Sequence, residues 1–187
     1  MADVPREFFV PTRFRDASYE DIALPIGLDQ TISQPYIVAL MTQALELTGK
    51  EKVLEVGTGT GYQAAILSRL ARTVVSVERL PLLAENARQR LEELDFWNVE
   101  VKLCGAQLGW PDAAPFDAIM VTAGAPSVPP DLLAQLAFGG RLVIPVGTRY
   151  LQELVKVSRR VDENNIENLG ACRFVPLIGR GAWDQDS

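Results

Sequence analysis

The run Val53-Leu54-Glu55-Val56-Gly57-Thr58-Gly59-Thr60-Gly61-Tyr62 constrains this chain more than any other stretch. An apolar strand that breaks into three glycines and then enters a helix brings backbone N–H groups close to a ligand, because no Cβ stands in the way. A second apolar stretch, Val74-Val75-Ser76-Val77, ends in Glu78, seventeen residues past Gly61. An acid at that place accepts hydrogen bonds from a ribose diol. Together they read as a nucleotide-type cofactor site. A glycine turn that only joins a strand to a helix is the plainer alternative, and it gives no reason for an acid in register.

Glycine spacing decides between cofactors. A dinucleotide fingerprint places glycine at its first, third and sixth positions, which here are Gly57, Gly59 and Tyr62, so the pyrophosphate version fails at its last glycine. The pattern written here, Glu-x-Gly-x-Gly-x-Gly, resembles motif I of the S-adenosylmethionine-dependent methyltransferases. In that resemblance the loop wraps the amino-acid end of the cofactor and the later acid holds the ribose.

With 187 residues and 48% hydrophobic content, a chain of this length buries about 70% of its unfolded surface in one core. A single methyltransferase domain over 1–187 is expected: an N-terminal substrate and active-site segment at 1–50, a cofactor-binding core at 51–150, and a C-terminal hairpin and tail at 151–187. Acidic residues outnumber basic ones 24 to 18, and no run of Lys or Arg occurs beyond Arg159-Arg160, which argues against a nucleic-acid partner. No apolar stretch reaches the ~18 residues of a membrane span, and the N-terminus lacks a signal-peptide core, so a cytoplasmic protein without a membrane partner is expected, as a monomer. Cys104 and Cys172 lie far apart without a CxxC partner, which reads as reduced thiols and no metal site.

The chain has no histidine. That removes Ser-His-Asp and Cys-His hydrolases, His-ligated zinc and the commonest general base. Methyl transfer to a carboxylate suits the restriction, because a carboxyl of intrinsic pKa about 4 is already an anion at neutral pH.

Apolar runs alternate with helical patterns as in an α/β fold, a doubly wound Rossmann-like sheet, mostly parallel. The expected elements are a helix over 35–47 with Ser33 as its N-cap, strand 52–56, helix 62–71, strand 73–77, helix 81–94, a short strand 99–103, strand 116–122, a helix over 129–137 closed by Gly139-Gly140, and strand 141–146. Stretches 151–161 and 166–175, separated by Asp162-Glu163-Asn164-Asn165, predict an antiparallel C-terminal hairpin.

Four separated stretches resemble the protein-L-isoaspartate O-methyltransferase family: Val4-Pro5-Arg6-Glu7-Phe8-Phe9-Val10-Pro11; Leu24-Pro25-Ile26-Gly27 with Gln30-Thr31-Ile32-Ser33-Gln34-Pro35; the glycine loop through Glu78-Arg79; and Arg173-Phe174-Val175-Pro176-Leu177. The resemblance implies transfer of the methyl group of S-adenosyl-L-methionine to the free α-carboxylate of L-isoaspartyl residues in damaged proteins or peptides, with S-adenosyl-L-homocysteine as product. The ester then cyclises to a succinimide that reopens partly to aspartate. Carried over by position, Ser33 is the catalytic residue. Ile32, Ser33, Glu55, Gly57, Gly59, Gly61, Glu78, Arg79, Ala106 and Gln107 meet the cofactor, and Thr31, Thr122, Ala123 and Arg173 meet the substrate. Judged by position alone, Ser33 is an N-cap, Arg173 is equally a solvated strand residue, Glu55 orients loop amides, and Trp110 and Trp183 pack.

The family's usual Gly-Asp-Gly after the third strand is Gly105-Ala106-Gln107 here, which loses an adenine contact and implies weaker cofactor binding; Gln107 offers a side-chain carbonyl in its place. Asp29 stands where glycine is usual, adding negative charge near an anionic substrate. The family's segment ahead of Val-Pro-Arg has no counterpart in this sequence, which implies more open substrate access. Three other readings stay open: an aspartyl O-methyltransferase for a dedicated peptide, a non-catalytic cofactor-binding module, and an NAD-dependent oxidoreductase, the last disfavoured by Tyr62.

Overall fold

The computed structural model describes residues 3–184. Two short 3₁₀ turns, Arg6–Phe8 and Thr12–Ala17, open the chain and lead into a hairpin of β1 (Leu24–Gly27) and β2 (Gln30–Ile32). Gly27 pairs with Gln30 across a two-residue turn whose Leu28 and Asp29 both have positive φ, 52° and 58°, as a type I′ turn requires. The hairpin stands apart from the main sheet. Helix α1 (Pro35–Ala44) follows, shorter at its end than the apolar pattern predicted.

The main sheet comprises β3 (Lys52–Val56), β4 (Thr73–Glu78), β5 (Val99–Leu103), β6 (Phe116–Val121), β7 (Leu136–Gly147), β8 (Gln152–Ser158) and β9 (Asn165–Cys172), in the spatial order β5-β4-β3-β6-β7-β8-β9. Helices α2 (Tyr62–Ser68), α3 (Pro81–Glu93) and α4 (Pro130–Gln135) supply crossovers. Strands β5 to β7 pair in parallel, while β7, β8 and β9 pair antiparallel, as the hairpin reading expected. Parallel strands are covered on both faces and therefore read as unbroken apolar runs. On one face Leu54, Val56, Ile119, Val121 and Ile144 pack with Leu132 and Leu136; on the other Val53, Met120 and Val143 pack with Met41, Leu45 and Leu67. Each wholly buried aliphatic here, such as Ile119, would cost about 2–5 kcal/mol on truncation to alanine.

One boundary differs from expectation. Gly139-Gly140 does not close a helix; α4 ends at Gln135 and the glycines lie inside β7. The reason is long-range pairing: Gly139 N–H donates to Arg159 O at 2.8 Å and Arg159 N–H donates to Gly140 O at 2.9 Å, so the start of β7 is drawn into the sheet.

The chain runs outward from β3 through β4 to β5, then returns to the other side of β3 to lay down β6. Strand order reverses there, and a crevice opens beyond the carboxyl ends of β3 and β6, where open α/β sheets bind ligands.

Candidate active site

The glycine loop is tied down by the strand ends beside it. Gly57 has φ 101°, and a Cβ there would fall 2.3 Å from Thr122 Oγ1. That hydroxyl donates to Gly57 O at 2.7 Å and to Val56 O at 3.0 Å, fastening the end of β3 to the residue after β6. The N–H groups of Gly57 and Thr58 donate to Val77 O at 2.8 and 3.2 Å, Gly59 N–H to Glu78 Oε2 at 2.9 Å, and Gly61 N–H to Thr58 O at 2.9 Å. The expected role of loop amides as ligand donors is therefore not met at these four. What the loop offers is a wall without side chains. Gly61 lies away from the cleft: a Cβ there would sit 3.2 Å from Leu91 Cδ1, so it seats α2 against α3.

Glu78 anchors the other side. Its Oε2 accepts from Gly59, and its Oε1 accepts Arg79 N–H at 2.9 Å and Leu80 N–H at 3.0 Å. A carboxylate offers about four lone-pair sites, so three backbone donors fix its orientation and leave capacity for a ligand hydroxyl.

These groups border a cleft. Of the residues carried over by resemblance, it brings together Thr31, Gly57, Gly59, Glu78, Arg79, Thr122 and Ala123. An adjoining cavity shares Thr31, Gly57, Gly59 and Thr122 with it and adds Ile32 and Ser33. Arg79 also borders an outer groove with Ala106, Arg180 and Trp183. Gln107 and Arg173 are exposed and lie outside these cavities.

Glu55 does not reach the cleft either. Side chains alternate along β3, so while Val56 lines the cleft, Glu55 points to the opposite face. Its neighbour across the register is Ser76, whose hydroxyl donates to Glu55 Oε2 and lies 2.6 Å from Thr58 Oγ1. Oε1 is buried without a partner among the described residues. Burial pushes this carboxyl up to about 8, with the neighbouring Glu78 adding to the rise and the Ser76 hydroxyl opposing it. Glu55 thus supports the loop from beneath, as a neutral acid at pH 7, through hydroxyls rather than loop amides.

Several lining residues went unassigned from sequence. Cys104, Gly105, Leu108 and Gly109 form the wall past β5, where only Ala106 and Gln107 were expected. Buried Gln135 clamps this turn: its Oε1 accepts Trp110 N–H at 2.8 Å, and its Nε2 donates to Leu108 O at 2.9 Å. Val175 to Ile178 close the cleft from the chain's end, because Gly124 N–H donates to Val175 O and Leu177 N–H to Gly124 O, both at 2.8 Å. Gln30 joins from the hairpin. The Arg173–Leu177 stretch carried part of that signal in its resemblance.

Ser33 is not the helix cap. Gln34 holds that position without a side-chain cap bond, and Asp21 Oδ1 instead accepts Tyr36 N–H at 2.8 Å. A remote carboxylate has taken over the capping, and Ser33 Oγ makes no hydrogen bond among the described residues. A half-buried hydroxyl without a protein partner, in a cavity continuous with the glycine loop, is free to bind a ligand.

Residues 1–182 match the family model described as protein-L-isoaspartate(D-aspartate) O-methyltransferase. A protein-L-isoaspartate O-methyltransferase from Syntrophus aciditrophicus is 55% identical over 186 residues, covering 98% of this chain and 85% of the relative. Another, from Pelobacter propionicus, is 58% identical over 185 residues, covering 98% and 82%. A solved protein-L-isoaspartate O-methyltransferase superposes with a TM-score of 0.83 at 31% identity, over 96% of this chain and 60% of that one. A Plasmodium falciparum structure of the same description, in complex with S-adenosyl-L-homocysteine, shares the fold with a TM-score of 0.76 at 22% identity, over 93% and 86%. Matched by that model over nearly its whole length, and by relatives at more than half identity, the chain belongs to the protein-L-isoaspartate(D-aspartate) O-methyltransferase family.

Proposed function

We propose that this protein methylates the free α-carboxylate of L-isoaspartyl residues in damaged proteins and peptides, using S-adenosyl-L-methionine. The observation that carries the reading is the pairing of two cavities across the glycine loop, one edged by the backbone-fixed carboxylate of Glu78 and the other by the unengaged hydroxyl of Ser33. The first fits the cofactor: Gly57 and Gly59 give it a wall without side chains, and Glu78 keeps acceptor capacity for a ribose. Gly57, Gly59, Glu78 and Arg79 would hold it, with the Cys104–Gly109 turn and Val175–Ile178 enclosing its far end. When bound, the cofactor supplies an electrophilic methyl group on a positively charged sulfur.

The chain's own work is positioning. The substrate carboxylate is ionised without help, since terminal-type carboxyls titrate at about 3.3–3.7, and a protein without histidine has no imidazole to offer as base. Ser33 Oγ donates to one carboxylate oxygen and leaves the other free to take the methyl group. Thr31 and Thr122 line the rim that the two cavities share, Ala123 lines the first, and together they shape the approach. Holding the anion in line and partly dry is worth up to about 7–11 kcal/mol of barrier. The ester is released, and its cyclisation and hydrolysis need no further catalysis. The two free cysteines, Cys104 and Cys172, support action in a reducing cytoplasm. No described helix is long and apolar enough to cross a membrane.

The test is repair itself. An isoaspartyl peptide incubated with enzyme and S-adenosyl-L-methionine should convert, over repeated cycles, into its aspartyl isomer on reversed-phase chromatography. Conversion at the same rate without the cofactor, or none with it, would refute the activity.

A further inference from the structure

Arg6 is wholly buried, 0% exposed, far from water for a guanidinium. Its Nε donates to Ser18 O and its Nη2 to Ser33 O, each at 2.7 Å. The plane lies over the Tyr62 ring, 4.9 Å from the centroid, and Phe9 packs on that ring with centroids 5.4 Å apart. Nη1 has no partner among the described residues. Burying an arginine this way costs stability that a methionine of similar volume would not, since a buried donor is left without an acceptor. The arrangement needs another reason.

Three facts supply one. The Ser33 carbonyl lies just ahead of α1, outside a helix ladder that begins with Val38 N–H donating to Gln34 O, and the Arg6 fork takes up that carbonyl. Tyr62 begins α2 directly after the glycine loop and lines the same cavity as Ser33. Ser33 Oγ itself is held by nothing in the described chain. The backbone therefore has to fix where that hydroxyl stands.

We infer that Arg6 is a positioning residue for methyl transfer, its forked guanidinium locking the Ser33 peptide group against the start of α2 so that the Ser33 hydroxyl meets the substrate carboxylate. This rests on the role of Ser33 proposed above. Two carbonyls in diverging directions plus a ring face need a planar fork; a lysine ammonium supplies a point donor.

Arg6→Lys and Arg6→Met test it, with Arg6→Lys carrying the test if the methionine variant does not fold. Turnover of an isoaspartyl peptide at saturating cofactor should fall several-fold, up to the loss of about 10-fold expected of Ser33→Ala, while calorimetric affinity for S-adenosyl-L-homocysteine stays within about two-fold. The double variant Arg6→Lys/Ser33→Ala should be no slower than Ser33→Ala, because Arg6 acts through that residue. The sequence holds one Ser-Gln dipeptide, Ser33-Gln34, so protein labelled with carbonyl-¹³C serine and ¹⁵N glutamine gives a single NMR correlation for this peptide group, and it should move in Arg6→Lys. Unchanged turnover, multiplying losses in the double variant, or an unmoved signal would overturn the inference. Wild-type protein that methylates no isoaspartyl peptide would instead refute the underlying activity, a result the Arg6 variants cannot mimic.

Discussion

The two walls of the site are built by different means. The wall assigned to the cofactor comes from neighbouring strand ends, and its contacts are made mostly by backbone groups: Gly57 and Thr58 to Val77, Gly59 to Glu78, Cys104 to the Glu78 carbonyl. The wall assigned to the substrate is hung on side chains instead, Arg6 to the Ser33 carbonyl and Asp21 to the amide of Tyr36. A wall made of backbone is rigid and tolerates few substitutions. One made of side-chain clamps is set residue by residue and can be altered one residue at a time.

The comparison breaks most sharply at Gly57. Gly57→Ala forces a Cβ against Thr122 Oγ1 at a φ that alanine resists, so affinity for S-adenosyl-L-homocysteine should fall at least about 100-fold by calorimetry. Retained affinity would show that the loop is softer than its hydrogen bonds imply.

Next comes the acid beneath the loop. Glu55 titrates near 8 when folded, against 4.5 as its ordinary value, because of burial. Between those values the folded state holds a proton that the unfolded chain has lost, so stability falls as pH rises through this window. Below it both states are protonated and the effect vanishes. Urea midpoints should drop by the equivalent of about 2–3 kcal/mol from pH 6 to pH 8, and Glu55→Gln should flatten that slope. An unaltered slope in the variant would assign the effect elsewhere.

Glu78→Gln and Ser33→Ala then separate the walls. Glu78→Gln should weaken S-adenosyl-L-homocysteine about 10- to 30-fold, as expected for charged hydrogen bonds, while kcat at saturating cofactor is nearly kept. Ser33→Ala should do the reverse, lowering kcat about 10-fold with cofactor affinity intact. If both variants moved the same parameter, the division would be wrong. The smallest effect belongs to Ala106→Asp, on the exposed turn beside Arg79 and Arg180, where a gain in cofactor affinity of about three-fold by calorimetry would fit a restored polar contact near a rim.

The same division explains what could be read from sequence. Strands β3 to β6, the loop and Glu78 were legible because buried parallel strands are continuous apolar runs and glycine punctuation is local. Ser33 was legible as a position but not in its surroundings: its expected capping bond is replaced by Asp21 from fifteen residues before Tyr36. Arg6 gave no hint of burial, since sequence alone makes a lone arginine a surface residue. Glu55 was assigned to the ligand, yet strand alternation turns it away. The β1 and β2 strands, four and three residues long, are too short for a period to register.

The most direct measurement of the central claim pairs an isoaspartyl peptide with its aspartyl isomer in one reaction containing methyl-labelled S-adenosyl-L-methionine. Base-labile label, recovered as methanol, is predicted from the isoaspartyl peptide and not from its isomer. Equal labelling of the two, or label on neither, would contradict it.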